Sequence, residues 1–197
     1  MALTITQSDV MSALHNLMGH RVTPGGTEED YERYVQDSFN YCWRYYRWAF
    51  SLKTAVIGDD GLLPDDFDYE GYRVFDGVTE VQLADTFSGT AGSALVWDTT
   101  ENKYKLDPIA ETTVTYQYQP PTLGETAVPF PSSMLIAEGA TILAKEGSNP
   151  TRADIQQEWD KFHAKLDRLA GRADNAKSRR PVHYLDAAGT FVGDVGA

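Results

Sequence analysis

Four histidines, a single cysteine and two runs of aspartate are the residues whose types could do chemistry in this chain. His15, His20, His163 and His183 have the right side chain for a general base or a zinc ligand. No two of them share the i, i+4 spacing that puts a zinc pair on one helix face, and none sits in a recognisable cluster with carboxylates. Each is therefore read as a helix-surface or loop residue. Cys42 stands alone, which excludes an intramolecular disulfide and a cysteine-based zinc site. It lies among aromatic residues in a helical pattern, where a thiol behaves as a small buried hydrophobe.

Asp59-Asp60 and Asp65-Asp66-Phe67-Asp68 suggest calcium by composition only. The alternating aspartates, the central glycine and the terminal glutamate of a calcium loop are missing, so these acids read as a solvated loop on a charged surface. Gly89-Thr90-Ala91-Gly92-Ser93 lacks both the nucleophile-elbow pattern and the Lys-Ser/Thr ending of a phosphate loop, and reads as a flexible turn. Arg44 and Arg47 sit between aromatic rings, an arrangement that could stack on nucleotide bases. The acidic balance of the chain favours cation–π or salt-bridge packing instead. No catalytic set emerges, and no metal or cofactor is implied.

The elements that carry these residues follow from periodicity. Ser8 reads as an N-cap, and Val10, Met11, Leu14, Leu17 and Met18 recur at helical spacing up to a stop at Gly19. Thr27 and Asp30 have the spacing of a capping box for a second helix that runs to about Trp48 or Ala49. Its last turns, residues 39–50, hold seven aromatic rings. That is more than one helix face is expected to bury in a small bundle, so part of Trp43, Arg44, Tyr45, Tyr46, Arg47, Trp48 and Phe50 is expected to pack against the β segment or a second subunit. Strand-like composition then appears at 53–57, 72–75, 78–83, 94–98 and 112–119, with turns at 58–61, 76–77, 88–89 and 99–103. Two further helices are expected at about 132–146, stopped by Gly147, and from a Thr151/Asp154 start to Gly171. In the second, Ile155, Trp159, Phe162, Leu166 and Leu169 form the apolar stripe.

The fold class expected is α+β: a bundle of about four helices with an inserted small antiparallel β region and an extended C-terminal arm. The parts are residues 1–52 and 120–174 for the bundle, 53–119 for the insertion and 175–197 for the arm. The arm has no helical period, yet it carries Val182, Tyr184, Leu185, Phe191 and Val192 behind Arg179-Arg180-Pro181. A merely solvated tail seldom holds so many apolar side chains, so it reads as a segment that orders against a partner, the alternative being a strand laid on its own domain.

The chain has 197 residues and a net charge of -12, and that charge is localised. Residues 59–111 carry thirteen acidic and three basic side chains, whereas residues 171–197 carry four basic and three acidic ones. Such a surface repels a phosphate backbone, so tight DNA binding is not expected. No apolar run approaches the roughly 18–20 residues that span a bilayer. The start, MALTITQSDV, has neither a basic nor a hydrophobic signal region, and the expectation is a protein that folds and acts in a cytoplasm.

The order of features resembles a known family. A short capped helix precedes a longer one ending in Cys42-Trp43-Arg44-Tyr45-Tyr46-Arg47-Trp48-Ala49-Phe50. A Leu62-Leu63-Pro64 turn, a β segment with Val96-Trp97-Asp98-Thr99, then Pro129-Phe130-Pro131, two helices and a tail follow. This is similar to the head-to-tail connector family of tailed bacteriophages, which includes adaptors and the upper tail-tube (gatekeeper) proteins of short-tailed phages. The resemblance implies a structural, non-enzymatic virion protein that assembles with copies of itself into a ring, typically of twelve. That ring would sit beneath the portal, receive a stopper, tail-tube or nozzle protein on its other face, and let DNA pass through an acidic lumen. It would form in the host cytoplasm and end in the neck of the virion, without a membrane. Carried onto this chain, Arg179, Arg180, Val182, Tyr184, Leu185, Phe191 and Val192 become the portal contacts. The competing readings are another neck or tail-completion protein of the virion, a small hydrolytic enzyme and a small nucleic-acid-binding regulator.

Overall fold

The computed structural model describes residues 4–18, 28–76, 79–81, 94–107, 112–148 and 153–173, together with the backbone of 184–185 and 191–192. The chain divides into two units: Met1–Phe50 with Pro121–Ala197, and Ser51–Pro120.

The first unit is helical. Strand β1 (Thr4–Ile5) leads into α1 (Gln7–Leu17). Thr6 is the N-cap, not Ser8. Its hydroxyl accepts from the Asp9 amide at 3.2 Å while the Asp9 carboxylate accepts from the Thr6 amide at 2.8 Å, a reciprocal box that satisfies two otherwise orphan donors. The Thr6 hydroxyl, which also donates to the Asp9 carboxylate at 2.8 Å, and the Thr6 amide hold the Asp9 pKa below its ordinary value. Helix α2 (Glu28–Tyr45) ends earlier than its aromatic periodicity suggests, and a 3-10 turn covers Ala49–Ser51. After the second unit the chain returns through β8 (Val128–Pro129), which pairs antiparallel with β1, into α3 (Ser133–Ser148) and α4 (Ala153–Ala173). Gln36 on α2 anchors that return, since its Oε1 accepts from the Leu123 amide at 2.8 Å.

Helix α3 is the central element, in contact with α1, α2 and α4. Its burial is correspondingly broad: Leu135, Ile136, Ala137, Ala140 and Ile142 are all buried. Gly147 does not stop it, and Gly171 does not stop α4. A Cβ at Gly147 would lie 2.7 Å from the Tyr34 hydroxyl, so α3 passes close to the tip of that side chain. Helix α4 buries Ile155, Trp159, Phe162, Leu166 and Ala170, with Leu169 only half-buried at the edge of the stripe. Lys145–Glu158 at 2.8 Å and Lys165–Glu138 at 2.7 Å link α3 to α4. Exposed pairs of this kind contribute up to about 1 kcal/mol each, so apolar burial holds these helices together.

The second unit is a four-stranded antiparallel sheet and a hairpin. The sheet order is β2-β7-β3-β4, with β2 (Leu52–Ile57), β3 (Val74–Asp76), β4 (Thr79–Val81) and β7 (Thr112–Gln117). The hairpin joins β5 (Ala94–Asp98) to β6 (Lys103–Asp107). Strand β6 is not among the expected strands: the expected 99–103 turn ends on its first residue, although Tyr104 and Leu106 alternate there with Lys103, Lys105 and Asp107. Gly61, at φ 72, closes the 58–61 turn in a conformation that favours glycine. From it the chain runs along the second edge of β6: Leu106 N–H donates to the Gly61 carbonyl and Leu63 N–H to the Tyr104 carbonyl, both at 3.0 Å. Ile57, Leu63, Phe67, Val74, Val81, Leu95, Leu106, Val114 and Tyr116 form the core of this unit.

Candidate functional site

The aromatic run at the end of α2 does not stand out from the helical unit waiting for a partner. Trp43, Tyr46 and Trp48 are at most 3% exposed, so these three rings are buried within the chain itself. The reason is the early end of α2. Beyond Tyr45 the chain doubles back, and Trp48 packs edge-on against Tyr46 at 5.1 Å and flat against Phe50 at 5.7 Å. Phe130, just after β8, meets Phe39, Trp48 and Phe50 at 5.7–6.0 Å in T-shaped geometry. The Trp48 indole N–H donates to the Cys42 carbonyl at 2.8 Å and ties the chain beyond the helix back onto its last turn. Rings enclosed this way cannot stack on nucleotide bases. What this end of the helix leaves partly accessible is Arg44, Tyr45, Arg47 and Phe50, all half-buried.

Cys42 is fully buried, and burial pushes its thiol pKa well up, so the sulfur is an unreactive packing group.

His163 is not a plain surface residue. It lies half-buried between α2 and α4, stacked on Tyr45 at 5.6 Å and 13° and on Trp159 at 5.7 Å and 24°. Its Nε2 is 2.6 Å from the Tyr41 hydroxyl. Burial lowers the His163 pKa while Asp160 and Asp167 pull it the other way, with the net shift downward; burial likewise raises that of Tyr41. The ring tautomer sets the direction of this bond: Tyr41 donates when the imidazole proton sits on Nδ1 and accepts when it sits on Nε2. Tyr45 completes the group by donating to Asp167 at 3.0 Å. The signal in the sequence was the pair of i, i+4 repeats, Tyr41/Tyr45 and Trp159/His163, which places four rings on two facing helix stripes.

This geometry gives a pH dependence with a definite sign. The folded pKa of His163 is below its ordinary 6.5, so the unfolded chain takes up the proton first as pH falls. Above 6.5 both states are neutral and the contribution is complete; it is lost progressively as pH drops from there through the folded value. The helical unit is therefore expected to lose stability between neutral and mildly acidic pH. Denaturant midpoints measured across that range for the wild type and for His163→Gln should show a smaller slope in the variant.

The aspartates of the second unit divide by role, which corrects their reading as one solvated loop. Asp59 and Asp60 are exposed. Asp65 pairs with Lys103. Asp66 accepts from Lys53 and, at 2.7 Å, from the Tyr116 hydroxyl. Burial alone would raise its pKa, but these hydrogen bonds outweigh burial and hold it low. Asp68 is 1% exposed and accepts from the Glu70 amide. Asp98 has its pKa pushed down to about 2 by Lys105 and by the Thr100 and Glu101 amides. These carboxylates serve as turn and strand ties, and among the described residues no group of His, Cys, Asp or Glu is arranged to hold a metal ion.

Of the predicted arm, Arg179, Arg180 and Val182 lie outside the described residues, as do His20, His183 and the 89–93 glycine segment. Backbone pairing joins β9 (Tyr184–Leu185) antiparallel to β10 (Phe191–Val192), with Phe191 opposite Leu185 and Val192 opposite Tyr184. His15, exposed on α1, shares with Met11, Glu32 and Glu125 an open groove of about 430 Å³ in the helical unit. Among the described residues no helix is long and apolar enough to cross a membrane. No family model matches the chain, and no curated protein matches it.

Proposed function

We propose that this protein is a structural head-to-tail adaptor of a tailed phage, a ring subunit placed beneath the portal. The observation that carries the reading is the build of the chain. Helices from both ends of the sequence form one unit, and the residues between them form a β unit. That β unit, residues 51–120, holds thirteen acidic against four basic side chains. Strong acidity confined to one unit suits a channel wall along which DNA slides without adhering. Half-buried Arg44, Tyr45, Arg47 and Phe50 offer a rim for a neighbouring subunit, with arginine and aromatic side chains of the kind enriched at protein interfaces. A head-to-tail contact between identical subunits closes into a ring at a fixed copy number. The tail beyond residue 174, with Arg179 and Arg180 ahead of an apolar pair of short strands, serves as the portal-directed arm.

The test is to mix purified protein with purified portal rings and image them by negative-stain electron microscopy, with and without residues 175–197. Density added beneath the portal only by the full chain supports both the adaptor and the arm. Density that persists without the arm keeps the adaptor and moves its portal contact to the helices. No association in either case overturns the reading.

A further inference from the structure

Strand β2 is an edge of its sheet: in the order β2-β7-β3-β4 no strand lies beyond it among the described residues. Its six residues pair with β7 without a break, so neither a bulge nor a proline blunts that edge. The Tyr118 N–H donates to the Ser51 carbonyl at 3.1 Å, one pair before the ladder begins. Hydrogen-bonded pairs alternate in an antiparallel ladder, so Lys53, Ala55 and Ile57 turn their backbone groups to β7. Those of Leu52, Thr54 and Val56 turn outward, and no backbone hydrogen bond to them is found among the described residues. Val56 is 67% exposed, and Thr54 is exposed beside it.

The arm poses the opposite problem. Strands β9 and β10 form a two-stranded sheet of their own, and such a pair is marginal in water until a further strand supports it. Residues 175–185 carry Lys177, Arg179 and Arg180 and no acidic residue, and Asp186 follows directly. Laid antiparallel along β2 with Leu185 opposite Thr54, this segment matches it in charge. Asp186 falls opposite Lys53, which is exposed beside Asp66. Arg180 and Arg179 fall opposite the exposed Asp59 and Asp60, just past the end of β2. Pro181 falls opposite Gly58, whose carbonyl already accepts from the Gly61 N–H, so the missing proline N–H leaves no acceptor unmet there. The same register turns the backbone groups of Leu185 to Thr54 and leaves those of Tyr184 for Val192 of β10.

We propose that the β2 edge receives residues 182–186 of a second copy of this chain as an added antiparallel strand. Within one chain the two sheets are separate, so the edge stays open to another copy. Main-chain hydrogen bonds hold the added strand, and the three charge matches set its register. Donor segment and acceptor edge are different surfaces, so the contact is head-to-tail and each copy can give one arm and take one. The proposal concerns the chain in the absence of a portal and does not rest on the adaptor reading.

Sedimentation velocity of the full chain over a range of concentrations is the test. Wild type should self-associate. Asp59→Arg and Arg180→Asp should each weaken that association about tenfold, and combining them should restore it, which neither a misfolded variant nor bulk charge could do. Thr54→Pro removes an outward N–H and leaves the β7 ladder intact, so association should fall with circular dichroism unchanged. A synthetic peptide of residues 177–188, added to wild type, should dissociate the assemblies, a readout that depends on no variant folding. Wild type that stays monomeric, or that associates equally well with either charge reversed, overturns the proposal. So does a double variant that fails to regain association, or a peptide without effect.

Discussion

Replacing Trp48 with alanine is expected to destabilise the helical unit by about 4–6 kcal/mol, a large share of the roughly 5–15 kcal/mol that holds an ordinary domain folded. Two losses combine. The indole is 1% exposed and touches Tyr46, Phe50 and Phe130, so its removal opens a cavity of a kind that costs about 3–5 kcal/mol. The indole hydrogen bond to the Cys42 carbonyl, at 2.8 Å, is also lost, at a cost of about 1 kcal/mol. Trp48→Phe separates the two, because it keeps much of the ring and removes the N–H; it should cost about 1–3 kcal/mol. The measurement is denaturant unfolding followed by helical circular dichroism at 222 nm. If Trp48→Ala cost no more than Trp48→Phe, or if both cost less than about 1 kcal/mol, the closure of α2 by Trp48 would be wrong.

The second large effect concerns Gly139, where a substitution that normally helps a helix should harm it. Glycine to alanine inside a helix usually stabilises by about 1 kcal/mol. At Gly139 an added Cβ would lie 2.3 Å from the Ser38 Oγ and 2.9 Å from the tip of the Phe162 ring. Neither neighbour yields freely. The Ser38 hydroxyl donates to the Ile136 carbonyl at 2.8 Å, and Phe162 is 2% exposed. Overpacking of about 1–3 kcal/mol therefore meets a lost buried hydrogen bond of similar size and outweighs the propensity gain. Gly139→Ala should destabilise by about 1–3 kcal/mol and Gly139→Val by more. Gly171→Ala is the matched contrast: nothing lies within 4 Å of its added Cβ, and it should be neutral or stabilising by up to about 1 kcal/mol. Thermal melts of the variants decide the matter by sign.

Much of the secondary structure was legible in the sequence because its causes are local. The α4 stripe from Ile155 to Leu166 appears where its spacing placed it, and β5 covers the predicted residues 94–98. The misreadings share a physical origin. Gly147 and Gly171 resemble helix stops, but a glycine inside a helix is tolerated when neighbouring turns support it, and at Gly147 the missing Cβ admits Tyr34. His163 looked like a surface histidine because its partners, Tyr41 and Tyr45, lie on another helix far back in the chain. Asp68 looked solvated by its run of acids, yet backbone pairing of its amide with the Gln117 carbonyl carries it inside the β unit.

By itself the sequence determined the helix and strand periods, the acidity of the middle segment, the presence of a single cysteine and the aromatic content at the end of α2, because each depends only on residue type and near-neighbour spacing. Only the tertiary structure decided where that content goes. Trp48 becomes core because Phe130, remote in sequence, arrives to cover it, while Trp97 stays half in solvent because its ring partners Tyr104 and Tyr69 lie beside and behind it. Burial of a ring is set by which distant surfaces meet it, and that is a property of the folded chain, not of the spacing around the residue.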